Sequence, residues 1–247
     1  MSSKIRLDIL LSSQGFGARK KIKTFLINNK ITVENQRILS PDFSLDPNKT
    51  KIFLNEEPLS FPRRIYLMMN KKKGVVCAKK DKEKRTVFDD LGDCSGDFDP
   101  AELNVAGRLD IDTEGLVLLT SDGKLLHKII SGEECFKKYF VGLKKGESVE
   151  RQEEIKFSFF QGIFLPHCGR EPGFTTKPGH LTWLDKDKAE LEISEGKFHQ
   201  VKRMFKAIGN EVVYLKRIKI HNLDLDPKLG PGEFRELSEE EIVKILE

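Results

Sequence analysis

Cysteine is scarce in this chain of 247 residues, and the four present (Cys77, Cys94, Cys135, Cys168) never form a close pair. That spacing fits neither a C-x-x-C zinc cluster nor a disulfide framework, so reduced thiols are expected. Long apolar runs are also missing. None approaches the ~18 residues that span a bilayer, and the opening MSSKIRLDIL has no secretory hydrophobic core or cleavage signal. A soluble, cytoplasmic chain with no membrane contact is expected. Histidines are few and dispersed: His167 lies beside Cys168, but His127, His180 and His221 complete no ligand pair of usual spacing, so no metal is expected.

What is present is enough apolar residue, 38%, for a sizeable core, in one large domain or in a small plus a medium one. Charge locates a boundary. Residues 1–60 hold ten Lys and Arg against six Asp and Glu, whereas the remainder holds 33 of each, so the formal excess of +4 belongs to the first quarter. Pro58 and Pro62 break any regular pattern in NEEPLSFPRR (55–64), which reads as a linker. Two domains are expected, 1–60 and 61–247.

Within the first, ARKKIKTFLINNKITV reads as a helix followed by a strand. Steps of about 100° per residue from Ile22 bring Phe25 and Leu26 to one side, while Arg19, Lys20, Lys23 and Lys30 gather on a neighbouring face. The wider stretch IRLDILLSSQGFGARKKIKTFLINNKITVENQRI resembles an S4 (αL-like) RNA-binding domain through Arg6, Leu7, Asp8, Gly15, Arg19, Val33 and Asn35. It carries Ala18 where that family usually has Ser, and Gln36 where it has Gly. The resemblance implies contacts to RNA backbone and shape, with Arg6, Arg19, Lys20, Lys23 and Lys30 as RNA-binding residues.

From residue 61 short apolar segments alternate with helical ones. IYLMMN (65–70), GLVLLT (115–120), KYFVGL (138–143), LTWL (181–184) and AELEIS (189–194) read as strands, with a turn at Ser121, Asp122 and Gly123. KLLHKII (124–130) reads as a helix. A second helix runs from His199 to Ile208, with Val201, Met204, Phe205 and Ile208 on one face and His199, Lys202, Arg203 and Lys206 opposite. The expected class is α+β: a mixed, mainly antiparallel sheet flanked by helices.

The segment VAGRLDIDTEGLVLLT (105–120) places the carboxylate of Asp110 on a loop that feeds a buried strand, where active sites are commonly built. Asp110, Asp112, Glu114 and Gly115 imitate the start of a calcium loop, but Ser121 stands where a bidentate Glu is needed, so an EF-hand is excluded. A glycosidase pair of Asp110 and Asp112 has little in its favour, since acidic pairs in loops are usually solvated.

AGRLDIDTEGLVLLTSDG, FKKYFVGL and ISEGKFHQVKRMFKAIGNEVVYLKR together resemble the RsuA-type rRNA pseudouridine synthases, and NKKKG (70–74) stands in place of that family's first motif, with Lys72 where Pro is usual. With the S4 domain in front, the similarity covers essentially the full chain. The A-G-R-L-D-I-D-T opening, Thr176 to Pro178 and the run through Phe198-His199 are features of the small-subunit branch; large-subunit enzymes more often have Asn-Arg at the last pair.

The resemblance implies isomerisation of uridine to pseudouridine in 16S rRNA at a uridine 516-type site. This chemistry breaks an N-glycosidic bond and rejoins the same base through carbon, with no cofactor. Asp110 would be the catalytic carboxylate, acting at the uracil ring or at ribose C1′. Lys202 would be its cationic partner, with Arg203 in reserve, and Tyr139 would stack on the flipped uracil and serve as general base. Arg108 would fill the gap left by the base or bind a phosphate, Leu118 would line the base pocket, and His199 would contact phosphate. The substrate would be 16S rRNA or a small-subunit assembly intermediate, and the protein a monomer. The rivals are a large-subunit (23S) rRNA synthase and a non-catalytic ribosome-associated RNA-binding protein; the presence of both Asp110 and Tyr139 disfavours the latter.

Overall fold

The central strands of the second unit are buried on both sides, and their successive side chains turn alternately into two apolar clusters, one on each face of a single sheet. The computed structural model describes residues 4–13, 16–47, 49–59, 64–92, 98–131, 135–169 and 171–246; Gly15, Cys94 and residues 60–63 of the expected linker lie outside them. The chain forms two compact units, 1–63 and 64–247.

In the first unit, α1 (Leu7–Ser13) and α2 (Ile22–Asn28) precede two small hairpins, β1 (Ile31–Val33) with β2 (Gln36–Arg37) and β3 (Ile52–Leu54) with β4 (Glu57–Leu59), which pair in the order β2-β1-β3-β4. Leu7, Leu11, Ile22, Leu26 and Ile31 form its core and are fully buried. Each hairpin turns through two residues of positive φ, Glu34-Asn35 (48° and 67°) and Asn55-Glu56 (49° and 76°), the pattern that suits the right-handed twist of paired strands. Gln36, where the S4 pattern has Gly, is therefore already a strand residue and needs no glycine conformation.

The second unit holds a nine-stranded sheet. Its strands are β5 (Tyr66–Lys71), β6 (Asn104–Ala106), β7 (Glu114–Thr120), β8 (Lys137–Leu143), β11 (His180–Asp185), β12 (Lys188–Ile193), β13 (Val212–Ile220), β14 (Leu223–Asp224) and β15 (Phe234–Glu236), while β9 (Phe164–Leu165) and β10 (Phe174–Thr175) form a separate hairpin. The main path is β11-β12-β8-β13-β7-β5-β15, with β6 on β7 and β14 on β13; β13 and β7 run parallel and the other pairs antiparallel. The sheet is mixed and mainly antiparallel, as expected.

Helices cover both faces. Val117 and Leu119 of β7 face the cluster closed by Ile155 and Phe159 of α4 (Val149–Gln161) and by Val201, Met204 and Phe205 of α5 (Gln200–Ala207). Leu116 and Leu118 face the other cluster, closed by Leu125 and Ile129 of α3 (Gly123–Ser131) and Ile245 of α6 (Glu239–Leu246). Asp122 starts α3, its carboxylate accepting from the Lys124 N–H at 2.9 Å and from the Tyr66 hydroxyl at 2.8 Å. Burial, then this hydrogen bond, pushes the Tyr66 phenol up to about 12. The longest helix, α4, and the longest strand, β13, were not anticipated: Phe157 and Phe160 of α4 are exposed and blur its apolar stripe, and Lys216, Arg217 and Lys219 disguise β13 as a basic tail.

One row of residues crosses four strands and sets the site. Lys71 pairs with Gly115, Gly115 with Arg217, and Arg217 with Tyr139. Gly115 has φ +102°, and a Cβ there would stand 2.2 Å from the Arg217 carbonyl oxygen. Gly115→Ala is therefore expected to lower stability by about 3 kcal/mol or more, from backbone strain and a backbone clash, read as a drop in the urea midpoint.

Candidate active site

The turn carrying Asp110 is held from beneath by side chains and backbone drawn from three directions. Asp110 closes it, its carbonyl accepting from the Thr113 N–H at 3.2 Å. Arg217, 2% exposed, donates to the carbonyls of Gly107 and Leu116, tying the two ends together. The Leu109 N–H donates to Cys77 Sγ at 3.3 Å, and the Gly74 N–H to the Ile111 carbonyl at 2.7 Å. Lys71, fully buried, donates from Nζ to the carbonyls of Thr113 (2.7 Å), Lys72 (3.1 Å) and Ile111 (3.3 Å).

Burial drives the electrostatics of this support. It lowers the Lys71 ammonium pKa, opposed by the nearby carboxylates of Asp112, Asp110 and Glu114. It pushes the Cys77 thiol up, so Cys77 is a neutral hydrogen-bond acceptor here and not a nucleophile. Lys72, the departure from the first motif, sits 3.0 Å from the buried carboxylate of Asp90, which also meets Arg85 at 3.0 Å. The substitution for Pro thus brings an ion pair into the loop below the site.

Above the turn stands the charged centre. Lys202 Nζ lies 2.9 Å from Asp110 Oδ2 and 2.5 Å from Asp112 Oδ1, and His199 Nε2 lies 3.6 Å from Asp110 Oδ1. Asp110 and Lys202 are 27% and 22% exposed at their side chains, partly shielded yet open to an incoming substrate. Desolvation disfavours the Lys202 ammonium, but the hydrogen bonds it donates to Asp112 and Asp110 outweigh it and its pKa is raised. Desolvation likewise opposes ionisation of Asp112, and Lys202 reverses this to leave its pKa lowered. The arrangement favours the ionised form of Asp112 beside the Lys202 ammonium.

The expected residues divide by location. Asp110, Lys202 and His199 come together, whereas Arg203 donates to the carbonyls of Pro166 (2.6 Å) and Phe198 (3.3 Å). Tyr139 is 7% exposed and shares a buried cluster with Leu109, the residue before Asp110. Arg108 is exposed beside it. Leu118 is not brought to the site; strand alternation turns it into the cluster under α3, with Met68 and Ile129.

The basic face of α5 also differs from expectation. His199 precedes the helix with φ +50°, and Lys202 turns to carboxylates rather than outward. In the first unit Arg6 and Arg19 both bond the buried carboxylate of Asp8, at 3.1 and 2.9 Å, and Lys30 meets Glu56 at 2.8 Å. Those pairs, the Arg6 hydrogen bond foremost, hold the Asp8 carboxyl at about 2. Lys20 and Lys23 are exposed. Sequence reasoning missed Lys71, Cys77 and Arg217 as supports, although Lys71 ends an apolar strand where a charge is anomalous.

Comparison with known proteins places this geometry in a class. A family model described as RNA pseudouridylate synthase matches residues 65–207. The chain is 40% identical to the Bacillus subtilis protein named Uncharacterized RNA pseudouridine synthase YtzG, over 96% of this chain and 97% of that one. It is 37% identical to the Ribosomal small subunit pseudouridine synthase A of Escherichia coli K12, over 98% and 100% of the two chains. A crystal structure of a pseudouridylate synthase superposes with TM-score 0.64 at 34% identity, covering 98% of this chain and 99% of the other. The fold is thus that of an enzyme that isomerises uridine in RNA. The chain belongs to the RNA pseudouridylate synthase family.

Proposed function

We propose that this protein converts a single uridine of small-subunit (16S) rRNA to pseudouridine, at a 516-type site, with Asp110 as its catalytic carboxylate. The observation that carries the reading is Asp110 on a rigidly supported turn, its carboxylate 2.9 Å from the Lys202 ammonium. The near full-length similarity to the Escherichia coli and Yersinia pestis small-subunit synthases supports the choice of rRNA. In the reaction the N1–C1′ bond breaks and a C5–C1′ bond forms; the C5 proton leaves and N1 regains one, so no redox partner is required. Tyr139 stacks on the extruded uracil and accepts the C5 proton, and Arg108, at the open edge of the turn, takes the vacated space in the RNA or a phosphate. Lys202 holds the Asp110 carboxylate in place through its 2.9 Å contact until substrate arrives.

The first unit serves as an S4-type RNA-binding module, residues 1–60, in a monomeric cytoplasmic enzyme. All five expected RNA contacts are exposed, and of these Arg6, Arg19 and Lys30 also form ion pairs within the unit. Replacing Lys20 and Lys23 by Ala is expected to reduce the slope of log K against log salt by about 1.5 to 2, measured by titrating 16S rRNA at several salt concentrations. An unchanged slope would place the grip on RNA in the catalytic unit alone. Mapping pseudouridine after incubation with 16S or 23S rRNA tests the substrate; modification confined to 23S rRNA would overturn the small-subunit reading.

A further inference from the structure

Immediately outside the charged centre lies an aromatic side chain that the catalytic chemistry does not use. Phe198 is 49% exposed, yet one face of its ring is covered: it stacks on the His199 imidazole with centroids 3.8 Å apart and planes 17° apart. The other edge of that imidazole reaches Asp110, at 3.6 Å from Nε2. The left-handed backbone of His199, φ +50°, makes this stack of neighbouring residues possible, and Arg203 fixes the Phe198 carbonyl at 3.3 Å. Cations border the same segment. Lys197 Nζ and the Arg203 guanidinium lie 4.3 and 5.4 Å from the centroid of the Phe174 ring.

Phe198 thus offers one open aromatic face in a segment where Lys197 precedes it and Arg203 binds its carbonyl. Single-stranded RNA supplies flat bases and phosphates together, and aromatic platforms flanked by positive charge are how proteins hold unpaired nucleotides. The target uracil must occupy the space at Asp110. Asp110 meets the edge of the His199 imidazole whereas Phe198 lies against its face, so the open face of Phe198 is offset from that space and faces a different base.

We propose that Phe198, rigidified by His199, is a stacking platform for the nucleotide adjacent to the target uridine. This rests on the substrate reading above and specifies how the RNA is gripped at the site. Base stacking is sequence-tolerant, so the platform contributes affinity and register and leaves discrimination between bases to other contacts.

The test is a thermodynamic cycle in the full chain carrying Asp110→Asn, which prevents turnover during titration. Fluorescently labelled 16S rRNA fragments contain the target uridine with an intact neighbour, or with an abasic ribose on its 5′ or on its 3′ side. Removing the neighbouring base on one side is expected to weaken binding about tenfold, and by less than about twofold once Phe198→Leu is also present. Phe198→Tyr should restore the tenfold response. In the otherwise wild-type enzyme, Phe198→Leu should raise KM about tenfold with kcat within about threefold. Equal losses with Phe198 and with Leu, or no loss on either side, would overturn the platform while the fragments still bind. Absence of both binding and turnover on 16S fragments would overturn the substrate reading and the platform together.

Discussion

Replacing Asp110 by Asn should reduce pseudouridine formation at least about 10⁴-fold, the scale of loss when an enzyme's reacting group is removed, with RNA affinity unchanged within a few-fold. The amide fits the same turn, because that turn is fixed by contacts the side chain does not make: Arg217 to Gly107, Cys77 to Leu109, and Lys71 to Ile111 and Thr113. What Asn lacks is the charge and nucleophilicity of the carboxylate. Single-turnover rates and equilibrium titrations on one RNA separate the two effects. A variant that turned over normally would remove Asp110 from the chemistry, and one that lost binding equally would make its role structural.

Replacing Lys202 by Met is the second large effect. The ammonium serves two carboxylates at 2.9 and 2.5 Å, so its loss leaves Asp110 and Asp112 facing one another without a cation between them. The Lys202 pKa is raised above 10.5 and that of Asp112 lowered below 3.8. Their mutual attraction is therefore fully present across the neutral range. It fades as pH falls below the ordinary Asp value or rises past that of the raised Lys. In the Met variant the carboxylate pair takes up a proton at higher pH than in the wild type, moving the acid limb of kcat/KM up by about one unit or more. A rate loss on the order of 10² to 10³-fold is expected at neutral pH. Lys202→Arg should recover much of it, since the cation returns. An unshifted acid limb in Lys202→Met would mean that the ammonium does not govern the charge at the turn.

The apolar patterning of β5, β7, β8, β11 and β12 was legible because alternation or continuous apolar runs leave a period that survives in a single sequence. The extra elements α4 and β13 were hidden for physical reasons. Of α4, Ile155 and Phe159 are buried while Phe157 and Phe160 face outward, and β13 carries Arg217 into the interior. The candidate site shows the same split. Asp110 and Lys202 were identified through motif position, yet their 92-residue separation could be bridged only by folding. Lys71 and Arg217 bond to backbone carbonyls, and such contacts depend on where a turn passes, which side-chain identities do not record. Leu118, expected to line the base pocket, is sent by the two-residue period of β7 into the cluster under α3.

The most direct measurement uses 16S rRNA tritiated at uracil C5, incubated with wild-type protein and with Asp110→Asn side by side. Formation of pseudouridine expels that hydrogen to solvent, so counts released report the reaction itself. One tritium equivalent per RNA from the wild type, and none from the variant, is the expected result. Release by both proteins alike, or by neither from naked RNA and from assembly intermediates, would contradict the assignment of Asp110 as the catalytic carboxylate of a single-site small-subunit synthase.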